Sequence, residues 1–160
     1  MDDWLSAVTL VTAIGCGLVG GVFFAFSNFV MKALGRLDPA NGAAAMQSIN
    51  VVVITPLFMT ALFGTAVACI VVAIAALTAL DESYAPYLLI GAALYVVGVT
   101  GMTMGFHVPR NNELARVNPH SDEGAAVWSR YLKEWTAGNH VRTISGLAAA
   151  AALIIALQMG

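Results

Sequence analysis

Charged residues are scarce in this sequence. They make up 10% of its 160 residues, against 59% hydrophobic residues, whereas soluble domains carry roughly a quarter charged residues. This shortage excludes an ordinary soluble domain. The net charge of -2, with no basic stripe that carries interleaved aromatic residues, also gives no indication of a nucleic acid partner. The composition predicts an integral membrane protein.

Cysteine is rare as well, and the two cysteines stand alone. Cys16 and Cys69 each lie in an apolar run without a second Cys or His at metal-ligand spacing, so neither a disulfide framework nor a zinc site is indicated. The N-terminal flank lacks the positive charge of a secretory signal and carries Asp2 and Asp3 instead. We therefore expect the first apolar run to remain in the chain as a membrane segment.

Three runs contain no charged residue at all, namely residues 5–31, 51–80 and 84–106. Each exceeds the roughly 20 residues that cross the hydrocarbon core as a helix. A fourth run, residues 140–159, is long enough if the side chain of Arg142 snorkels to the headgroups. The sequence thus predicts an all-α fold, with residues 1–160 forming a single transmembrane bundle of four helices.

The seven basic residues all fall on one side of this predicted topology. Two follow the first span, and five lie between spans three and four or at the start of span four. The positive-inside rule assigns that side to the cytoplasm. We therefore expect a bacterial-type inner or plasma membrane protein with both termini outside the cytoplasm and its long connections inside.

The two inner connections contain helix signals of their own. Asp38-Pro39 is typical of a helix start, and we expect that helix to run into span two with Gln47, Asn50 and Ile54 on one face. The segment 107–120 contains Pro109 and Pro119, which favours an irregular connection.

Ser121 predicts the start of a further helix that extends to about Ala137 and is ended by Gly138. Trp128, Tyr131 and Trp135 share one face of this helix. We expect it to be amphipathic and to lie at the membrane interface between spans three and four, with its aromatic rings as an interfacial belt or as the wall of a pocket.

Polar residues gather at the inner ends of three predicted spans: Gln47 and Asn50, His107, and His140. Helices in a bundle lie roughly 10 Å apart, so side chains at equal depth can converge on one pocket. The simpler interpretation is structural, with Asn139 capping span four and Arg142 anchoring it to phosphates. The outer ends carry no comparable polar set.

A metal site is a further option at this position. His107, Glu113 and His140 together supply two imidazoles and one carboxylate, the ligand set that suits non-haem iron. Their spacing matches no known metal motif, and the three come from separate segments.

Four stretches resemble the anthrone oxygenase family, also known as the DUF1772 membrane proteins. They are GVFFAFSNFVM at residues 21–31, MQSIN at 46–50, HVPRNNEL at 107–114 and WSRYLKEWTAGNHVRT at 128–143. The resemblance covers most of the chain and implies four membrane helices. Members oxidise anthrones to anthraquinones with O2 as co-substrate and are described as needing no flavin or haem.

Seven polar residues match the family's motifs, namely Gln47, Asn50, Asn111, Asn112, Asn139, His140 and Arg142, and we infer catalytic roles from the chemistry of anthrone oxidation. We expect His140 to act as the base, Arg142 with Asn111 or Asn112 to stabilise the enolate oxygen, and His107 to orient groups or shuttle protons. Gln47, Asn50, Tyr131, Trp135 and Asn139 are expected to contact the substrate.

Two other functions remain open from the sequence alone. One is a membrane protein that binds a lipid or small hydrophobic molecule without turnover. The other is a small exporter that works as a homo-oligomer. The absence of charge within the spans is unfavourable for proton-coupled transport.

Overall fold

Five helices form the computed structural model, which describes residues 1–160. In chain order they are α1 (Asp3–Leu34), α2 (Pro39–Val52), α3 (Pro56–Leu77), α4 (Ala85–Arg116) and α5 (Asp122–Met159). The structure contains no strand. All helices except α2 are long and apolar enough to cross a membrane. The predictions of an all-α fold and of four membrane-spanning helices are therefore confirmed.

The two ends of the molecule differ in composition. At one end, the amino group of Met1 donates to the carbonyl of Gly160 (3.2 Å), and the Ser83 hydroxyl donates to the carbonyl of Met159 (3.3 Å). This terminal end therefore contains both chain termini and the α3–α4 turn. The opposite end, called the basic end below, contains six of the seven basic residues: Lys32, Arg36, Arg110, Arg116, Arg130 and Lys133.

Three helices are longer than a bilayer requires. Helices α1, α4 and α5 contain 32, 32 and 38 residues, or about 48 to 57 Å at 1.5 Å per residue, against a hydrocarbon core of roughly 30 Å. Because the long helices are level at the terminal end, the excess length projects at the basic end. Helix α2 packs against these projecting segments.

Two hydrophobic cores follow from this arrangement. The span core draws on all four long helices and includes Cys16 and Cys69, which are fully buried as free thiols with their sulfurs 3.9 Å apart. The basic-end core joins α2 to the projecting segments. It consists of Met31, Ala43, Met46, Leu114, Val127, Trp128, Tyr131 and Trp135.

The predicted interfacial helix is wrong as a separate element. Ser121 does begin a helix, and its hydroxyl accepts from the backbone N–H of Gly124 (3.0 Å). The helix then continues through Gly138 into span four as α5, so Asn139 is not an N-cap. A side chain at Gly138 would meet Phe106 and His107. That glycine therefore permits close packing of α4 on α5 instead of ending a helix.

The prediction of an irregular connection over residues 107–120 is also wrong for the first half of that segment. Helix α4 continues to Arg116, and Pro109 lies just after a π-helical turn, Thr103–His107. The backbone hydrogen-bond pattern is already shifted in such a turn, so the missing N–H of proline is tolerated there. The connection between α4 and α5 is therefore reduced to a short turn.

The helix predicted to run into span two is interrupted. Helix α2 begins at Pro39 as predicted but ends at Val52, and α3 begins at Pro56. Thr55 has an extended backbone, as expected before proline, and its hydroxyl caps α3 by accepting from the N–H of Phe58 (3.2 Å). Gln47 and Asn50 therefore lie on α2 and not on span two.

Candidate functional site

A cavity of about 190 Å³ lies where the span core meets the basic-end core. Aromatic residues form much of its wall, and they are Phe23, Phe26, Phe58, Phe63 and Trp135. Four other lining residues are polar: Asn50, Thr103, Asn111 and Arg142. An apolar pocket with a few convergent polar groups is the usual form of a small-molecule site.

Irregular helical turns surround this cavity. Helices α1, α3 and α4 each contain a π-helical turn at its depth, over Phe26–Val30, Thr60–Gly64 and Thr103–His107. Each turn contributes at least one lining residue. π-helical turns are found frequently at functional sites, and three of the four in this chain lie at the cavity; the fourth, Leu94–Gly101 in α4, contributes no lining residue.

Arg142 is the one charged side chain that lines the cavity. It is 4% exposed, and both ion pairs of the chain lie elsewhere, at Arg110–Glu134 and Arg130–Glu113. Its guanidinium lies 4.0 Å from the ring centroid of Phe23 and 5.0 Å from that of Trp135. A buried cation without a carboxylate partner is costly in a membrane, which favours an interaction with an anionic ligand.

A polar network holds the guanidinium in place. One of its terminal nitrogens donates to Asn139 Oδ1 (2.6 Å), the other donates to Thr103 Oγ1 (3.3 Å), and Nε has no partner. Asn139 Nδ2 in turn donates to the carbonyl of Phe23 and to Ser27 Oγ, both at 2.7 Å. Asn139 is fully buried, so it positions Arg142 instead of contacting the cavity.

Asn111 is held at the edge of the cavity by two aromatic residues. Its Oδ1 accepts from the Tyr131 hydroxyl (2.8 Å) and from the Trp135 indole N–H (2.9 Å). Asn50 Nδ2 donates to the Tyr131 hydroxyl at 3.5 Å. With its oxygen occupied, Asn111 has its amide N–H groups available to a ligand. The aromatic face expected at the membrane interface is thus buried in the basic-end core.

His107 lies behind the cavity wall. It is 1% exposed, with Nδ1 3.0 Å from the carbonyl oxygen of Met102 and Nε2 3.3 Å from that of Trp135. Its ring meets the Trp135 ring edge to face, with centroids 5.1 Å apart. The imidazole therefore links α4 to α5 and orients Trp135, without lining the cavity itself.

The structure does not bring His140 to the other predicted site residues. His140 is exposed and lines a groove on another face of α5, because two residues along a helix turn a side chain by about 200°. Asn112 is exposed. Gln47 Nε2 donates to the carbonyls of Leu114 (2.7 Å) and Val117 (3.1 Å), so it joins α2 to the end of α4.

The metal-ligand set expected from the sequence is not assembled. Glu113 is on the surface and pairs with Arg130, while His107 is buried and His140 faces the groove. No three His, Cys, Asp or Glu side chains come together anywhere in the chain. The three residues lie on helices that pack together, but the helical phase of each residue directs its side chain away from the other two.

Three residues of the site were missed by sequence reasoning. Thr103 contacts the guanidinium, and Ser27 Oγ lies 3.2 Å from Thr143 Oγ1 within the polar network. Hydroxyl residues are common in membrane helices, so each one alone is uninformative. The available signal was their position: Ser27 and Thr103 lie about one helical turn from the inner end of an apolar run, and Thr143 directly follows Arg142.

Comparison with known families gives one match. The model of the family described as anthrone oxygenase matches residues 56–152, which is more than half of the chain and includes Thr103, Asn111, Trp135 and Arg142. Neither the curated proteins nor the solved structures give a match. The matched range covers α3, α4 and most of α5, and on this basis the chain belongs to the anthrone oxygenase family.

Proposed function

We propose that this protein is a membrane-embedded oxygenase that binds a lipophilic aromatic substrate, of the anthrone or quinol type, in the cavity beside Arg142 and oxidises it with O2. The observation that supports this most is the buried guanidinium, which has no carboxylate partner and faces aromatic walls. The volume of about 190 Å³ is below the roughly 300 Å³ at which ordinary ligand pockets begin.

The chemistry follows from the substrate's own acidity. Loss of a proton from an anthrone methylene to water gives a delocalised anion whose negative charge rests largely on the ketone oxygen. This anion reduces O2 and forms a C–O bond, giving a hydroperoxide that eliminates water to leave a second carbonyl. One O2 is consumed and one water is released for each methylene oxidised. The protein's task is to favour the anion.

Arg142 is the group that would stabilise the anion. A fixed cation in an apolar, water-poor site acts more strongly on a developing negative charge than it would in water. Thr103 and Asn139 hold the guanidinium in position, and the amide of Asn111 would donate a further hydrogen bond. No imidazole or carboxylate lines the cavity, so His140 is not assigned the role of base in this proposal.

The surroundings of the cavity favour entry from the bilayer. Three of its lining residues, Ile54, Phe63 and Met104, are also exposed on the outer surface of the helices at 68%, 37% and 55%. A hydrophobic substrate dissolved in lipid would reach the cavity between α3 and α4.

We infer that the basic end faces the cytoplasm, because six of the seven basic residues lie there.

The cavity contains no side chain that could act as a base, and this also favours a second function. In this second function, the cavity binds an aromatic anion and presents it to another protein without oxidising it. Turnover separates this binding role from the oxygenase, since both would require Arg142.

The oxygenase proposal is tested by oxygen uptake with a model anthrone, using detergent-purified protein with and without a metal chelator. We expect uptake well above the spontaneous rate, one O2 consumed per anthraquinone formed, and no effect of the chelator. Saturable binding of anthrone without uptake would contradict the oxygenase and support the binding role. Uptake that the chelator abolishes would contradict the metal-independent chemistry described above.

A further inference from the structure

A second concave surface lies on another face of α5. This groove runs between the basic-end halves of α1 and α5 and has a volume of about 840 Å³, within the range of ordinary ligand sites. It is separate from the cavity, with which it shares no lining residue. The oxygenase proposal makes no use of it.

The lining of the groove changes from apolar to basic along its length. Ser27 lies beside Thr143 and Gly35 beside Leu132, so the depths of the two antiparallel helices can be matched. Exposed apolar residues, Phe24, Ile144 and Leu147, line the part of the groove that is farthest from the basic end of the molecule. Polar residues line the middle, and Lys32 and Arg36 lie at the part nearest the basic end.

The part of the groove nearest the basic end carries positive charge that no acidic side chain neutralises. Lys32 and Arg36 are exposed, and neither takes part in an ion pair. Lys32 is in the last turn of α1, Arg36 lies in the turn that follows Leu34, and both side chains line the groove. None of the 13 residues that line the groove is acidic, so an anion at this position would meet no carboxylate.

We propose that this groove binds one anionic glycerophospholipid of the surrounding bilayer. The phosphate would lie between Lys32 and Arg36, and the ester region would lie against the polar middle of the groove, near Asn28 and Thr136. One acyl chain would follow Phe24 and Ile144 toward the membrane centre. The sequence of cationic, polar and apolar surface matches that of an anionic lipid, and basic pockets between membrane helices are known to bind such headgroups.

The test is native mass spectrometry of the detergent-purified chain, titrated with phosphatidylglycerol or with phosphatidylcholine of the same acyl composition. We expect one tightly bound phosphatidylglycerol per chain and much weaker phosphatidylcholine. In the double variant Lys32→Gln and Arg36→Gln, the dissociation constant for phosphatidylglycerol should rise about 30-fold, or roughly fivefold for each charge removed. Both side chains lack partners within the chain, so the variant should fold normally.

A matched control removes equal charge from the same end. Arg116→Gln with Lys133→Gln alters two exposed residues outside the groove and should leave the affinity unchanged. Equal losses in the two double variants would indicate diffuse attraction and overturn the proposal, as would unchanged affinity in both. Glycerol phosphate should not displace the bound lipid. If it did, the groove would be a site for phosphate alone.

Discussion

Replacing Arg142 by Gln is expected to lower the oxidation rate of a model anthrone about 100- to 1,000-fold, the usual cost of removing one preorganised group that stabilises an oxyanion. Gln retains hydrogen-bonding capacity but removes the one charge that lines the cavity. The loss should be mainly in kcat, because the charge interacts more strongly with the anion than with the neutral substrate. The measurement is steady-state oxygen uptake by purified variants.

Three further variants make this result specific. Arg142→Lys should give an intermediate rate, since it keeps the charge but loses the planar contacts with Asn139 and Thr103. Arg116→Gln, an exposed change at the basic end, should be neutral. His140→Ala should also stay close to the wild-type rate because this side chain faces away from the cavity. A large loss in His140→Ala with full activity in Arg142→Gln would reverse the assignment of roles.

The effect of Arg142→Gln should not be a folding defect. A buried charge without a carboxylate partner contributes little stability or costs some. The thermal unfolding midpoint of the variant is therefore expected to equal or exceed that of the wild type. A variant that is both inactive and strongly destabilised would indicate a structural role for the guanidinium.

Gly146→Val is expected to cost about 3 kcal/mol of unfolding free energy, near the upper end of what overpacking a core costs. Helices α1 and α5 pack backbone against backbone where Gly146 meets Gly20: a β-carbon on Gly146 would lie 3.0 Å from the α-carbon of Gly20. Because the obstacle is backbone, it cannot move aside. The measurement is equilibrium unfolding in mixed detergent, followed by helix content.

The control for this prediction lies on α1, the partner helix in this contact. A side chain at Gly21, the neighbour of Gly20, would meet nothing within 4 Å. Gly21→Val should therefore leave the unfolding free energy nearly unchanged. Equal destabilisation by the two substitutions would mean that the effect comes from helix propensity and not from the α1–α5 contact.

The sequence predicts the number of long helices well because charge is excluded from hydrocarbon whatever the tertiary packing. Helix ends are predicted less well. Gly138 and Pro109 are local stop signals, yet neither ends its helix, since Gly138 admits Phe106 and His107 and Pro109 follows a π-helical turn. Thr55-Pro56 places a capping residue before a proline at the start of α3, as Asp38-Pro39 does at the start of α2. Within the apolar run 51–80, this dipeptide was the signal that a new helix begins at Pro56.

The residues of the candidate site were predicted only in part: Asn50, Asn111, Trp135 and Arg142 line the cavity, whereas Gln47, His107, Asn112, Tyr131, Asn139 and His140 do not. Asn139, His140 and Arg142 are near neighbours in sequence, but only Arg142 reaches the cavity. In a soluble helix, the polar face would reveal the helical phase. Here the residues around α5 are apolar on both the lipid side and the core side, so the sequence contains no signal for which polar side chain points inward. Packing of α1, α4 and α5 decides it.

The most direct test of the account is an absorbance spectrum of a model anthrone bound to the protein without oxygen. Under these conditions no oxidation can follow, and the ionisation state of the bound substrate is observed directly. We predict the long-wavelength band of the substrate anion at a pH where the free anthrone is neutral, and its disappearance in Arg142→Gln. A bound substrate that stays neutral in the wild-type protein would mean that Arg142 does not stabilise the anion.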